Sequence, residues 1–77
     1  MTREQMREQI AQRDEAHTVA SRLAEMVMGG CDYDEMAQRL TDTYAEWLGI
    51  SEDDCEAYDI ANEIANEHLT AELADEE

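Results

Sequence analysis

Apolar residues recur along the chain at helical spacing, and they do so in three stretches. At about 100° per residue, Tyr33, Met36, Ala37, Leu40, Tyr44, Trp47 and Leu48 fall on one side of a helix. Ala57, Tyr58, Ala61, Ile64, Ala65 and Leu69 form a second such face, whose alanines allow a close helix approach. A third runs through Ala16, Val19, Ala20, Leu23, Met26 and Val27. Upstream of it the pattern thins to Met6 and Ile10 among Gln5, Gln9, Gln12 and three arginines.

Two turn signals divide these stretches. Gly29-Gly30 offers a helix C-terminus, and Gly49 followed by Ile50 has the form of a C′ glycine with an apolar C″ residue. Starts are marked as well. Thr2-Arg3-Glu4-Gln5 and Asp32-Tyr33-Asp34-Glu35 read as capping boxes, and Ser51-Glu52-Asp53-Asp54 puts acids in a first turn, where the helix dipole favours them. The pattern therefore predicts helices over about 3–28, 33–48 and 52–73 in one domain, residues 1–77. Short turns favour antiparallel neighbours, so the expected fold is all-α, a small up-down-up three-helix bundle.

Composition supports helices over sheet: there is no proline or phenylalanine, only three glycines, and many strong helix formers. The first residues lack the apolar core of a secretory signal, and no apolar run nears the roughly 18 residues of a membrane span. A soluble, cytoplasmic protein with reduced cysteines and no membrane association is the expectation.

Charge changes the picture. Residues 1–30 carry four arginines and five carboxylates, a net of −1; residues 31–77 carry Arg39 and sixteen carboxylates, a net of −15. Lysine is absent. On the third predicted helix, Glu52, Glu56, Asp59, Glu63 and Glu67 fall within about an 80° arc opposite the apolar face, spread over roughly 22 Å. The second helix adds Glu35, Asp42 and Glu46 on its outer side, interrupted by Arg39. Like charges at i,i+4 destabilise an isolated helix by roughly 0.2–0.5 kcal/mol per pair. Glu52/Glu56, Asp59/Glu63 and Glu63/Glu67 are three such pairs, with no basic residue between them in the sequence.

Other chemistry finds little support. Cys31, Cys55, His17 and His68 show none of the paired spacing of structural zinc sites. Asp14-x-x-His17 is the nearest approach to a di-iron motif and stands alone. The acids beside Cys55 oppose thiolate formation, and His68 falls on an apolar face. No nucleophile triad or phosphate-binding loop occurs. Neither an enzyme nor a metal or cofactor is expected.

In size, acidity and short helices, and in its Glu52–Glu67 stripe, the chain resembles the small phage-encoded inhibitors of host defence, the anti-CRISPR and anti-restriction proteins that mimic DNA. The resemblance covers overall character and includes no diagnostic motif. It implies a stoichiometric inhibitor acting in the host cytoplasm, occupying the DNA-binding groove of a basic protein such as a CRISPR effector subunit. B-DNA carries one phosphate per ~3.4 Å on each strand, which rows of carboxylates on two helices approach. Direct nucleic-acid binding is not expected, since like charges repel. Glu52, Glu56, Asp59, Glu63 and Glu67 would be the principal contacts, with Glu35, Asp42 and Glu46 secondary. Two alternatives stand beside this: an assembly protein that forms a homodimer through its first helix, and a salt-adapted acidic domain of unrelated function.

Overall fold

A computed structural model describes residues 2–51 and 53–75, and every element in them is helical. Among the described residues there are four helices where three were predicted: α1 (Arg3–Ala11), α2 (Glu15–Met28), α3 (Tyr33–Leu48) and α4 (Cys55–Asp75).

The punctuation read from the sequence is used. Thr2 Oγ1 accepts from the Gln5 amide and Gln5 Oε1 accepts from the Thr2 amide, which completes a capping box on α1. At the end of α3, Gly49 adopts φ 70°, and the Ile50 and Gly49 amides return to the Ala45 and Glu46 carbonyls. That is a Schellman stop, and it needs a residue that tolerates positive φ. Gly30 closes α2 the same way, at φ 112°, with Cys31 N bonded to Met26 O. Asp32 caps α3 through the Asp34 amide. The last helix starts later than predicted. Asp54 Oδ1 accepts from the Ala57 amide, a cap that sets Cys55 as the first helical residue.

The predicted helix over 3–28 is broken at Gln12-Arg13-Asp14, which corrects the three-helix reading. A straight helix of that length would run ~39 Å, whereas the longest dimension of the whole molecule is 34 Å. Straight, it would carry Met6 and Ile10 beyond the bundle. Bent, it buries both completely against the other helices. Burial of each such side chain is worth roughly 1.5–3 kcal/mol, which exceeds the cost of opening a turn at three polar residues with no apolar anchor.

The core combines Met6 and Ile10 with Ala16, Ala20, Leu23 and Ala24 of α2, Met36, Leu40 and Tyr44 of α3, and Ala61, Ile64 and Leu69 of α4. The α3/α4 pair supplies the largest contact, and its side-chain bonds fix an antiparallel register: Tyr33 meets Asn66 and Thr70, Thr41 meets Asn62, and Asp42 meets Tyr58. Thr41 is buried among apolar residues, and its hydroxyl donates to the Ala37 carbonyl at 2.8 Å. A buried hydroxyl thus has its partner, as low-dielectric surroundings require.

Candidate acidic interaction surface

The acidic residues singled out by sequence divide into two edges of α4 and an outlier. Glu52 lies outside the described residues. Glu56, Asp59, Glu63, Glu67, Glu35, Asp42 and Glu46 are all exposed.

Along one edge of α4, Glu63 and Glu67 are not bare. Arg3 pairs with Glu63, and Arg7 donates to both oxygens of Glu67 at 2.5 and 2.7 Å. Arg3 and Arg7 are four apart, as are their partners, so α1 runs in the same direction as α4 with the pairs in step. The charge alternation missing from the sequence of this helix is supplied by another helix. These pairs are about half exposed, so each contributes only ~0–1 kcal/mol. Their main effect is to remove the Glu63/Glu67 repulsion and align α1. Glu56 continues this edge toward Met6 and Ile60 with no ion-pair partner among the described residues.

On the other edge, α4 meets α3 around Tyr58. Asp42, Glu46 and Asp59 line adjoining shallow depressions here, together with Ile50 and Cys55. Tyr58 donates to Asp42 Oδ1 at 2.6 Å, and the Gln38 amide bonds to both Tyr58 and Asp42. The Asp42 carboxylate holds the phenol proton, which raises the Tyr58 pKa, and burial adds to that. The result is an aromatic side chain, only partly covered, set among three carboxylates with no ion-pair partner among the described residues. Tyrosines in such settings are frequent anchors of protein interfaces. Helical spacing puts Tyr58 on the apolar face, but it lies outside the core cluster, half-buried, with its hydroxyl on the acidic rim. Glu35 stands apart, two turns before Asp42 on α3, 3.7 Å from Arg39.

The basic residues of the near-neutral first segment are largely used inside the fold. Beyond Arg3 and Arg7, Arg13 stacks over Trp47 with its guanidinium carbon 5.0 Å from the ring centroid, and His17 lies 2.7 Å from Glu72. Sequence reasoning missed Arg3 and Arg7. Their i,i+4 spacing, matched to Glu63/Glu67 and interleaved with Met6 and Ile10, was the available signal.

Cys31 and Cys55 are both exposed free thiols. Among the described residues no group of three or more potential ligands gathers into a metal-binding arrangement, and no helix is long and apolar enough to cross a membrane.

His68, on the apolar side of α4, is half-buried against the core residue Tyr44. Its ring meets Tyr44 edge-on, with Nδ1 2.7 Å from the Tyr44 hydroxyl. Burial is the main cause that lowers its pKa; Arg7 on α1 lowers it too, while Glu67 and Glu72 on α4 oppose both. Burial likewise keeps Tyr44 protonated, so with neutral imidazole its hydroxyl donates to Nδ1. A histidine whose folded pKa lies below the ordinary ~6.5 stabilises the fold fully above that pH and less as pH falls below it. Wild type should therefore lose more thermal stability between pH 7 and 5 than His68→Gln does. Parallel melting curves for the two across that range would remove His68 from the acid response.

Compared with protein-family models, with curated proteins and with solved structures, the chain matches none.

Proposed function

We propose that this chain is a non-enzymatic inhibitor that binds a basic nucleic-acid-binding surface as an acidic DNA mimic, of the anti-CRISPR or anti-restriction kind. The observation that carries the reading is the face formed by Asp42, Glu46 and Asp59 around Tyr58, extended over the ridge of α4 by Glu56. Four exposed carboxylates without ion-pair partners among the described residues, beside a partly exposed aromatic ring, complement a Lys/Arg-lined groove. A surface of this sign speeds encounter with such a groove by electrostatic steering. Glu63 and Glu67 enter as a flank already shared with Arg3 and Arg7, Glu35 as an outer contact, and Glu52 through its charge alone. The host cytoplasm is the compartment this reading assigns.

The test is cleavage of plasmid DNA by purified guide-loaded CRISPR effectors and by restriction endonucleases, with the chain added in increasing amounts. Stoichiometric inhibition of at least one enzyme, competitive with its DNA, is expected. Undiminished cleavage by all of them at large molar excess would end the proposal.

A salt-adapted domain is the second reading, favoured by the absence of lysine among 21 carboxylates and five basic residues. Thermal unfolding in ~0.1 M and ~3 M KCl separates the two, because the Debye length shrinks from about 10 Å to under ~3 Å. The Arg3–Glu63 and Arg7–Glu67 pairs act attractively at low salt, so a cooperative helical melt there, with little gain at high salt, is expected of the inhibitor. Loss of the helical signal at low salt would favour salt adaptation instead.

A further inference from the structure

Gln12, Arg13 and Asp14 join α1 to α2 without a glycine, a proline or a residue at positive φ. Gln12 (φ −72°, ψ −15°) and Asp14 (φ −62°, ψ −27°) both have right-handed helical backbone. Arg13 alone therefore makes the bend. Moving one non-glycine residue into the helical region carries no steric penalty. It would regenerate the continuous helix over 3–28 that the sequence pattern predicts.

What opposes straightening is the docking of α1, and α1 docks chiefly on α3 and α4. Met6 and Ile10 fill the groove between them, Arg3 and Arg7 reach Glu63 and Glu67, and Arg13 covers Trp47. A cleft of about 480 Å³ opens beside Met6 at this seat, lined by Leu48, Ile50, Glu56 and Ile60 among others, so α1 does not fill it tightly. The contacts of Met6, Ile10, Arg3 and Arg7 can be made equally by the α1 of another molecule, whereas the Arg13 contact belongs to the bent connector. A short connector that is more regular when straight is the recognised circumstance for such exchange.

We propose that two copies of the chain exchange α1, forming a two-fold dimer in which each straightened helix inserts Met6 and Ile10 into its partner's α3/α4 groove and pairs Arg3 and Arg7 with the partner's acids. The occupant of the groove in this dimer is a second copy of α1, selected by apolar spacing and charge together. Exchange leaves Asp42, Glu46 and Asp59 in place and does not depend on the inhibitory reading.

Two charge-reversed chains test it. One carries Glu63→Arg with Glu67→Arg, the other Arg3→Glu with Arg7→Glu. Within either chain α1 faces like charge; only reciprocal exchange between them restores both sets of pairs. Mixing at submillimolar concentration should give a one-to-one heterodimer near twice 8.8 kDa by native mass spectrometry, exceeding either homodimer by roughly tenfold or more. If the separate chains prove unfolded, helical circular dichroism should appear on mixing. Monomers only, or dimers in statistical proportion, would overturn the exchange. As a second check, wild type refolded at high concentration should yield dimer, and inserting a short glycine segment after Gln12 should reduce it about tenfold. A dimer fraction indifferent to that insertion would show a different interface and reject the proposal.

Discussion

Leu40→Ala is expected to lower the melting temperature by on the order of 10–30 °C, leaving little cooperative transition. Leu40 is fully buried at the middle of α3, within the cluster that joins all four helices. Large-to-small changes at such sites cost ~2–5 kcal/mol, through lost transfer energy and the cavity left behind. A core in a chain of this length supplies only ~3–5 kcal/mol of net stability, so the loss is comparable with the whole. Leu40→Met keeps volume and should cost under ~1.5 kcal/mol. Melting followed by circular dichroism compares them. Should Leu40→Ala melt within a few degrees of wild type, α3 does not organise the core as described.

Under the proposed inhibitory role, Glu46→Lys combined with Asp59→Lys should weaken inhibition of the nuclease by about 100-fold while leaving helicity unchanged. Neither side chain makes a hydrogen bond or ion pair among the described residues, and both are exposed. Their replacement therefore leaves the fold intact and reverses the charge offered to a basic groove. Like charges brought together at an interface cost several kcal/mol, and about 2.8 kcal/mol is a factor of 100. Glu63 and Glu67 make poorer probes. Reversing them sets two like charges against Arg3 and Arg7 and releases α1, so any loss of binding is confounded with a structural change. Unaltered half-inhibitory concentrations for the Glu46/Asp59 double variant would take the Tyr58 face out of the mechanism.

What was legible in the sequence was mostly local. The stops at Gly30 and Gly49 follow from backbone chemistry that only the neighbouring residues determine, and the apolar face of α3 follows from periodicity along one helix. The break at Arg13 is of another kind. Nothing at 12–14 forbids a helix; the bend exists because Met6 and Ile10 gain more by reaching α3 and α4, and that gain is tertiary. Thr41 escaped notice for the same reason, since its burial is tolerable only because the Ala37 carbonyl stands one turn behind it and Asn62 across from it. The candidate surface was legible in its charge and not in its arrangement. Helical spacing placed Glu56, Asp59, Glu63 and Glu67 in one arc of α4, which the fold divides between an edge against α1 and an edge against α3. It could not say that arginines from the far end of the chain would cover two of them, or that Tyr58 would present its hydroxyl to Asp42.

The arginine ladder between α1 and α4 also alters what the surrounding ions do. A carboxylate that stands alone in water gathers small cations around it, and these must be shed when a basic protein arrives; their release is part of the driving force and the source of its salt sensitivity. Glu63 and Glu67 have already exchanged those cations for Arg3 and Arg7 during folding. For them the entropy of release was realised before any encounter. On the face proposed to bind, the ion atmosphere left to be shed gathers over Asp42 and Glu46 of α3 and Glu56 and Asp59 of α4, so the salt dependence of the proposed binding follows those four carboxylates and not Glu63 and Glu67.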